Sequence, residues 1–248
     1  MSEWFSKLRS FVFYAPLIAI ATAIHGSINL VVAFFGASGE TQFKVARNWG
    51  RTLLRIGGVK VTVEGLEKIR PGESFVFASN HVSYMDTPVA LKSIPSEFRF
   101  MAKSGLFKVP GIGGHLTQAG HIAVDLDNPR SALRTLAAAG KMLKEHGLSV
   151  LVFPEGGRSE SGEMEPFKEG AAYLAIKGQV PVVPMALIGM RDILPMHSGH
   201  LRPGKVTVRF GDPIEVSSLT LRDRDVLTQR IFDSIAELRN GKVANFKS

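Results

Sequence analysis

From Val59 onward, short runs dense in Val, Ile and Phe alternate with longer stretches whose apolar residues recur every three or four positions. "VKVTVEG", "SFVFASN", "FRFMAK", "HIAVD", "LSVLVFPEG", "PVVPMALIG" and "KVTVRFGDPI" have the length and composition of strands. Asp86 to Ser93, Pro129 to His146, Phe167 to Lys177 and Leu221 to Arg239 carry the helical period. Such alternation predicts an α/β fold with a largely parallel sheet flanked by helices, because crossover helices cover both sheet faces. No internal repeat or low-complexity tract interrupts it.

The chain before Val59 reads differently. Phe11 to Phe35 form one long apolar run, interrupted by Pro16 and carrying His25, Ser27 and Asn29. These polar residues would lie at bilayer depth in a simple span, where they are costly, and the proline predicts a break. Lys7 and Arg9 precede the run and Lys44, Arg47, Arg51 and Arg55 follow it, which draws both flanks to the same, cytoplasmic side. No small-residue cleavage site of the A-x-A kind follows. In the next segment Phe43, Ala46, Gly50, Leu53 and Leu54 form an apolar stripe beside the basic one. The pattern predicts a pair of membrane-associated helices over 1–57, ahead of a domain over 58–248. A surface helix packed on the domain has the same periodicity and is the alternative for the second of the pair.

Charge narrows the partners. The 248 residues carry 30 Lys plus Arg against 22 Asp plus Glu, a formal net charge of +8, which suits an anionic surface or a phosphorylated ligand. With no cysteine there is no disulfide framework, thiolate nucleophile or Cys-based zinc site. A nucleic-acid reader would interleave aromatics with the basic residues, whereas the chain has 2 Trp and 3 Tyr and no reader motif.

Two stretches hold candidate chemistry. "SNHVSYMD", Ser79 to Asp86, follows an apolar strand and puts His81 and Asp86 too far apart in angle to meet on one helix, about 140° on an ideal one. If the strand ends near Asn80 and the helix begins near Asp86, the turn can fold the carboxylate back onto the imidazole. That would fix one ring nitrogen and leave the other to accept a proton. The bland explanation is that Asp86 caps the helix, with Thr87 and Pro88 in its first turn, or forms a capping box with Ser83. Two such ligands without a third do not make a metal site. "VLVFPEGGRSESG" places Glu155, Gly156, Gly157, Arg158 and Ser159 after another apolar strand, where ligands bind in open α/β sheets. Arg158 offers a planar fork to a phosphate, or is the solvated end of a tight turn. It is no Walker loop, because G-x-x-x-x-G-K-[ST] is absent.

Together these blocks resemble a family. "NHVSYMD" is similar to the N-H-x-x-x-x-D motif of the glycerolipid acyltransferases, and "FPEGGRS" to their F-P-E-G-T-R-S motif. "FKEGAAYLA" and "VPVVPMAL" are similar to the segments that follow, in the family's order, so the likeness runs from about Val59 to Phe210. Length and motif style look most like the bacterial 1-acyl-sn-glycerol-3-phosphate acyltransferases. The resemblance implies acyl transfer from acyl-CoA or acyl carrier protein to the 2-hydroxyl of a lysophosphatidate, giving phosphatidic acid. It implies His81 as general base, Asp86 as its orienting partner, Arg158 as phosphate anchor, Glu155 and Gly156 as shapers of the acceptor pocket, and Lys103 as a further phosphate contact. It implies no metal or redox cofactor, and an enzyme on the cytoplasmic face of the inner membrane, held to anionic lipid.

Two departures stand out. Gly157 occupies the position of the family's threonine, and Leu126, in "GHIAVDLDNPR", that of the arginine in G-x-I-F-I-D-R. Arg130 and Arg134 lie nearby without matching the motif, so another lysolipid or glycerol 3-phosphate remains an alternative acceptor. A serine hydrolase using Ser83 or Ser159 with His81 would need the G-x-S-x-G elbow, which is absent. A non-catalytic protein of anionic membranes would keep the basic helices but would not need His81 and Asp86 together.

Overall fold

The computed structural model describes residues 3–36, 39–109 and 113–241, so the outer ends of both expected units, 1–2 and 242–248, fall outside it. Every run expected to be extended is a strand: β1 (Val59–Glu64), β2 (Val76–Ser79), β3 (Phe98–Lys103), β4 (Ile122–Val124), β5 (Ser149–Val152), β6 (Val182–Ile188) and β7 (Gly204–Phe210). They form one sheet in the order β1-β7-β6-β2-β5-β3-β4. Neighbours are parallel except β6 and β7. Every residue of β2 and β5 is buried, which explains why these strands are apolar throughout instead of alternating.

Helices cover both faces. On one face α3 (Gly39–Ile56), α4 (Asp86–Ser93) and α8 (Met190–Ile193) share a core with Phe75, Phe77 and Phe98. On the other, α6 (Pro129–His146), α7 (Gly170–Gly178) and α9 (Arg224–Arg239) close over Val76, Val150 and Val182. In chain order the short α5 (Gly113–Gln118) comes between β3 and β4. Asn128 caps α6, its side chain accepting from Ser131 N at 3.1 Å, with Pro129 in the first turn and left-handed Gly147 at the end. These signals put that helix where the sequence predicts it.

At the N-terminus, α1 (Glu3–Arg9) and α2 (Ala15–Phe34) are continuous through a π-helical segment, Ser10–Tyr14. Pro16 therefore does not break the helix as expected: it sits in the first turn of α2, and the wider π turn before it absorbs the missing N–H. The resulting Glu3–Phe34 helix is long and apolar enough to cross a membrane. Its polar residues do not all face outward. Asn29 is buried and donates to His115 Nδ1 of α5, and His25 bonds back to Ala21 O. Ser10 is buried too, bonding Gly199 O and accepting from Leu201 N. The apolar stripe of α3 is a second correction: Phe43, Gly50, Leu53 and Leu54 are buried in the protein rather than offered to a membrane surface. Arg47, of the basic stripe, lies over the Phe43 ring and donates to Ile94 O, at the C-cap of α4, and to Ser96 O in the loop after it.

Candidate active site

The site is built at the carboxyl end of β2, beside β5 and β6. Asn80 ties β2 to β6, its amide exchanging hydrogen bonds with the main chain of Leu187 at 3.0 and 2.8 Å. Next comes His81, its main chain gripped from both sides by the turn after β5. His81 N donates to Glu155 Oε1 at 2.7 Å, and Ser159 N donates to His81 O at 2.8 Å. The imidazole lies flat on Phe153, with ring centroids 3.9 Å apart and planes within 13°. Thus the two sequence blocks with candidate chemistry meet in space and hold each other.

Asp86 starts α4 and is fully buried. Its Oδ2 accepts from His81 Nδ1 at 2.7 Å, from Val82 N at 2.7 Å and from Ser83 N at 2.9 Å. The catalytic and capping explanations are therefore not alternatives, since one oxygen reaches back to the imidazole and also closes the acid's half of a capping box on Ser83 N, while Ser83 Oγ accepts from Met85 N instead of Asp86 N. With Nδ1 occupied, the imidazole has Nε2 left, and no group among the described residues hydrogen-bonds it.

Arg158 comes back over the same turn. Its Nε donates to Ser83 O at 3.3 Å and its guanidinium lies 4.2 Å from the centre of the Tyr84 ring. The terminal nitrogens are unpaired among the described residues, so the fork is fixed at its base and open at its tip. Gly156 adopts φ +78, and a Cβ there would stand 2.7 Å from Lys168 Nζ, so glycine lets that ammonium lie across the turn. Gly157 has open space where a side chain would be. Glu155 has both oxygens on main-chain donors, His81 N and, at 3.0 Å, Glu165 N. Burial raises its pKa above the ordinary 4.5, outweighing those two bonds.

Lys103 lies apart from this group. It ends β3, two strand positions from β2, and its exposed ammonium pairs with Asp127 at 3.4 Å. Leu126 packs against the core under α6, while Arg130 and Arg134 are exposed. Ser83, Tyr84, Phe153 and Lys168 belong to the site by position, yet only Ser83 is singled out by the sequence, as a capping-box or hydrolase candidate, and its hydroxyl takes neither role. Neither candidate hydrolase serine is aimed at His81: Ser83 Oγ donates to Leu194 O at 3.0 Å, and Ser159 Oγ pairs with Ser161 Oγ at 3.2 Å. Among the described residues no group of His, Asp and Glu could hold a metal ion.

A histidine braced by a buried aspartate at the end of a parallel strand, with an arginine fork over the same turn, is a general-base type of site at the ligand-binding edge of an α/β sheet. Residues 60–188 match the family described as Acyltransferase, and the chain belongs to that family. It is 36% identical over 183 residues to the chloroplastic 1-acyl-sn-glycerol-3-phosphate acyltransferase BAT2 of Brassica napus, covering 73% of this chain and 51% of that protein. It is 30% identical over 178 residues to the alpha form of that acyltransferase in Homo sapiens, covering 72% of this chain and 63% of that protein. The chain thus spans about half to two thirds of the length of such relatives. The crystal structure of the 1-acyl-sn-glycerophosphate acyltransferase PlsC from Thermotoga maritima superposes with a TM-score of 0.79 at 26% identity, covering 98% of this chain and 100% of that one.

Proposed function

We propose that the chain transfers an acyl group from a thioester, acyl-CoA or acyl carrier protein, to the 2-hydroxyl of 1-acyl-sn-glycerol 3-phosphate, forming phosphatidic acid. One observation carries this reading: Asp86 holds His81 Nδ1 at 2.7 Å and leaves Nε2 free. In that tautomer Nδ1–H donates to the carboxylate and the Nε2 lone pair takes the hydroxyl proton. The alkoxide oxygen forms a bond to the thioester carbonyl carbon, the C–S bond breaks, and the departing thiolate recovers the proton from Nε2. Asp86 stabilises the imidazolium in between. Direct attack is favoured over an acyl-enzyme, since the chain has no cysteine and both nearby serine hydroxyls are engaged. Only an acyl group and protons move, so the reaction as proposed uses no metal or redox cofactor. The open fork of Arg158 receives the acceptor phosphate.

The N-terminal helix supports a membrane setting. Trp4, Phe11, Phe13, Ile20, Ile24 and Phe34 are exposed along it, a face too large and continuous to be left in water. Seated in the cytoplasmic leaflet of the inner membrane, it would let a lysolipid reach His81 sideways. That avoids extracting an acyl chain into water, at about 0.8 kcal/mol per methylene. The basic residues suit anionic headgroups.

The test is His81→Ala in the full chain, assayed with acyl-CoA and lysophosphatidate for thiol release and phosphatidate. Turnover is expected to fall by about 10²- to 10⁴-fold with an unchanged unfolding temperature. Retained turnover would remove His81 as the base, and turnover only with a different lysolipid would reassign the acceptor.

A further inference from the structure

Beyond the dyad and the Arg158 fork, a pocket of about 240 Å³ adjoins the same turn. Asn80 and Val82, the neighbours of His81, form part of its wall, and Gly162 faces it from the loop after Arg158. Two arginines converge on that glycine. Arg239, from the end of α9, donates to Gly162 O at 2.9 Å. Arg191, from α8, packs so closely that a Cβ on Gly162 would lie 2.6 Å from its Nη1, and Gly162 has φ +85. The left-handed φ favours glycine there, and its missing side chain leaves room for the Arg191 guanidinium. Arg191 makes no hydrogen bond among the described residues, and Arg239 is near enough to favour the ionised form of Glu155. The remaining charges at the pocket are the exposed carboxylates Glu163 and Asp192.

We infer that this pocket receives the phosphopantetheine arm of the acyl donor, its phosphate on Arg191 and Arg239. The inference rests on the acyl-transfer reading above and names the donor's place within it. Guanidinium forks match a phosphate, and the carboxylates match the amide and hydroxyl donors of the arm. A hydrocarbon chain would find no comparable partner in such a lining. The two arginines come from opposite sheet faces, Arg239 from α9 and Arg191 from α8, so the pair spans the carboxyl end of the sheet beside His81. The acceptor phosphate, on Arg158, and the donor phosphate, on Arg191 and Arg239, would thus occupy separate cationic groups around His81. Because CoA and carrier protein share this arm, the site serves either.

The test compares Arg191→Gln and Arg239→Gln in the full chain, with KM measured separately for acyl-CoA, acyl carrier protein, acyl-pantetheine and lysophosphatidate. Loss of a charge-assisted contact is expected to raise KM for both phosphate-bearing donors about tenfold and leave the acceptor KM unmoved. The preference for acyl-CoA over phosphate-free acyl-pantetheine should shrink with it. A rise confined to acyl carrier protein would mean that the arginines read that protein's surface, and a rise in acceptor KM would place the lysolipid phosphate here; either overturns the inference. Since Arg239 also holds the loop, the decisive variant is Arg191→Gln, whose side chain has no such bond to lose. Calorimetric titration with CoA and pantetheine separates the donor site from the reaction. CoA affinity lost on Arg191→Gln in a protein without transferase activity keeps the site and defeats the reaction. Transfer with CoA affinity unchanged in both variants defeats the site and keeps the reaction.

Discussion

The turn after β2 and the N-terminal helix break the usual partition of side chains in opposite directions. In the turn, Asn80, Ser83 and Asp86 are at most 1% exposed, and each is hydrogen-bonded. In the helix, Trp4 is 63% and Phe34 85% exposed. Buried polar groups are tolerable only when paired, so the turn is overdetermined and holds its imidazole without waiting for substrate. Exposed apolar groups have the opposite logic, for they gain only when something covers them. One region is held by its own hydrogen bonds and the other is complete at a surface. The same molecule can thus keep a rigid proton-transfer site beside a face whose energy comes from its surroundings.

The sharpest way to break the first half is Asp86→Asn. The amide oxygen can take over the contacts of Oδ2, but the charge that would stabilise an imidazolium is gone. Turnover is expected to drop by about two to three orders of magnitude, against a loss of a few degrees in unfolding temperature. Near wild-type turnover in a folded variant would reduce Asp86 to a helix-start residue. The second half breaks more gently. Phe34 and Phe35 stack edge to face at 5.5 Å and are 85% and 79% exposed. Replacing both by Ser should leave stability alone while weakening binding to anionic vesicles by about 3 kcal/mol, roughly a hundredfold. Salt should weaken wild-type binding only in part, because apolar insertion is unscreened. Complete release by salt would make the contact purely electrostatic. Deleting 1–56 would not be a clean test, since Phe43 and Leu54 belong to the core.

The contrast also explains what is legible in sequence. Strands such as Ser149–Val152 are buried on both faces and read as unbroken apolar runs, and Asp86 and Pro129 mark the starts of α4 and α6. The meeting of His81 with Asp86 follows from the angle a helix would impose. The rest depends on long-range packing. Periodicity reports that α3 has an apolar face but not that the domain itself covers it, so the pattern assigns a membrane to a helix that buries Leu53 and Leu54 in the protein. Nothing in the spacing of Glu155 announces that both its oxygens bind main-chain N–H groups, and nothing in α8 and α9 announces that Arg191 and Arg239 meet at Gly162. Those contacts join residues far apart in the chain.

A smaller effect probes the open side of the turn. Arg158 is fixed through Nε to Ser83 O and through its face to Tyr84, which leaves its tip as the presented group. Arg158→Lys keeps a positive charge but loses both the stacked plane and the fork. The expected outcome is an acceptor KM raised about tenfold with donor KM little changed, the effect of one charge-assisted hydrogen bond. An equal loss for a phosphate-free acceptor would take the phosphate role away from Arg158.

The smallest effect concerns Glu155, a buried polar group whose pairing does not fully offset its burial. Its pKa is raised from 4.5 because desolvation outweighs the bonds from Glu165 N and His81 N. A raised carboxyl pKa means that the folded chain binds the proton more tightly than the unfolded one. The protonated group's contribution to stability is therefore full below the unfolded value and is lost as pH rises through the folded one. Glu155→Gln cannot titrate, and its amide nitrogen would face Glu165 N–H, donor against donor, at a cost of about 1 kcal/mol. The wild-type advantage over the variant should thus be largest below pH 4.5 and shrink toward neutrality, as followed by urea unfolding of both proteins across that range. An advantage that grew with pH would show that the two main-chain bonds outweigh burial. Glu155 would then belong with Asp86 among the carboxylates that the turn holds ionised through two main-chain N–H groups.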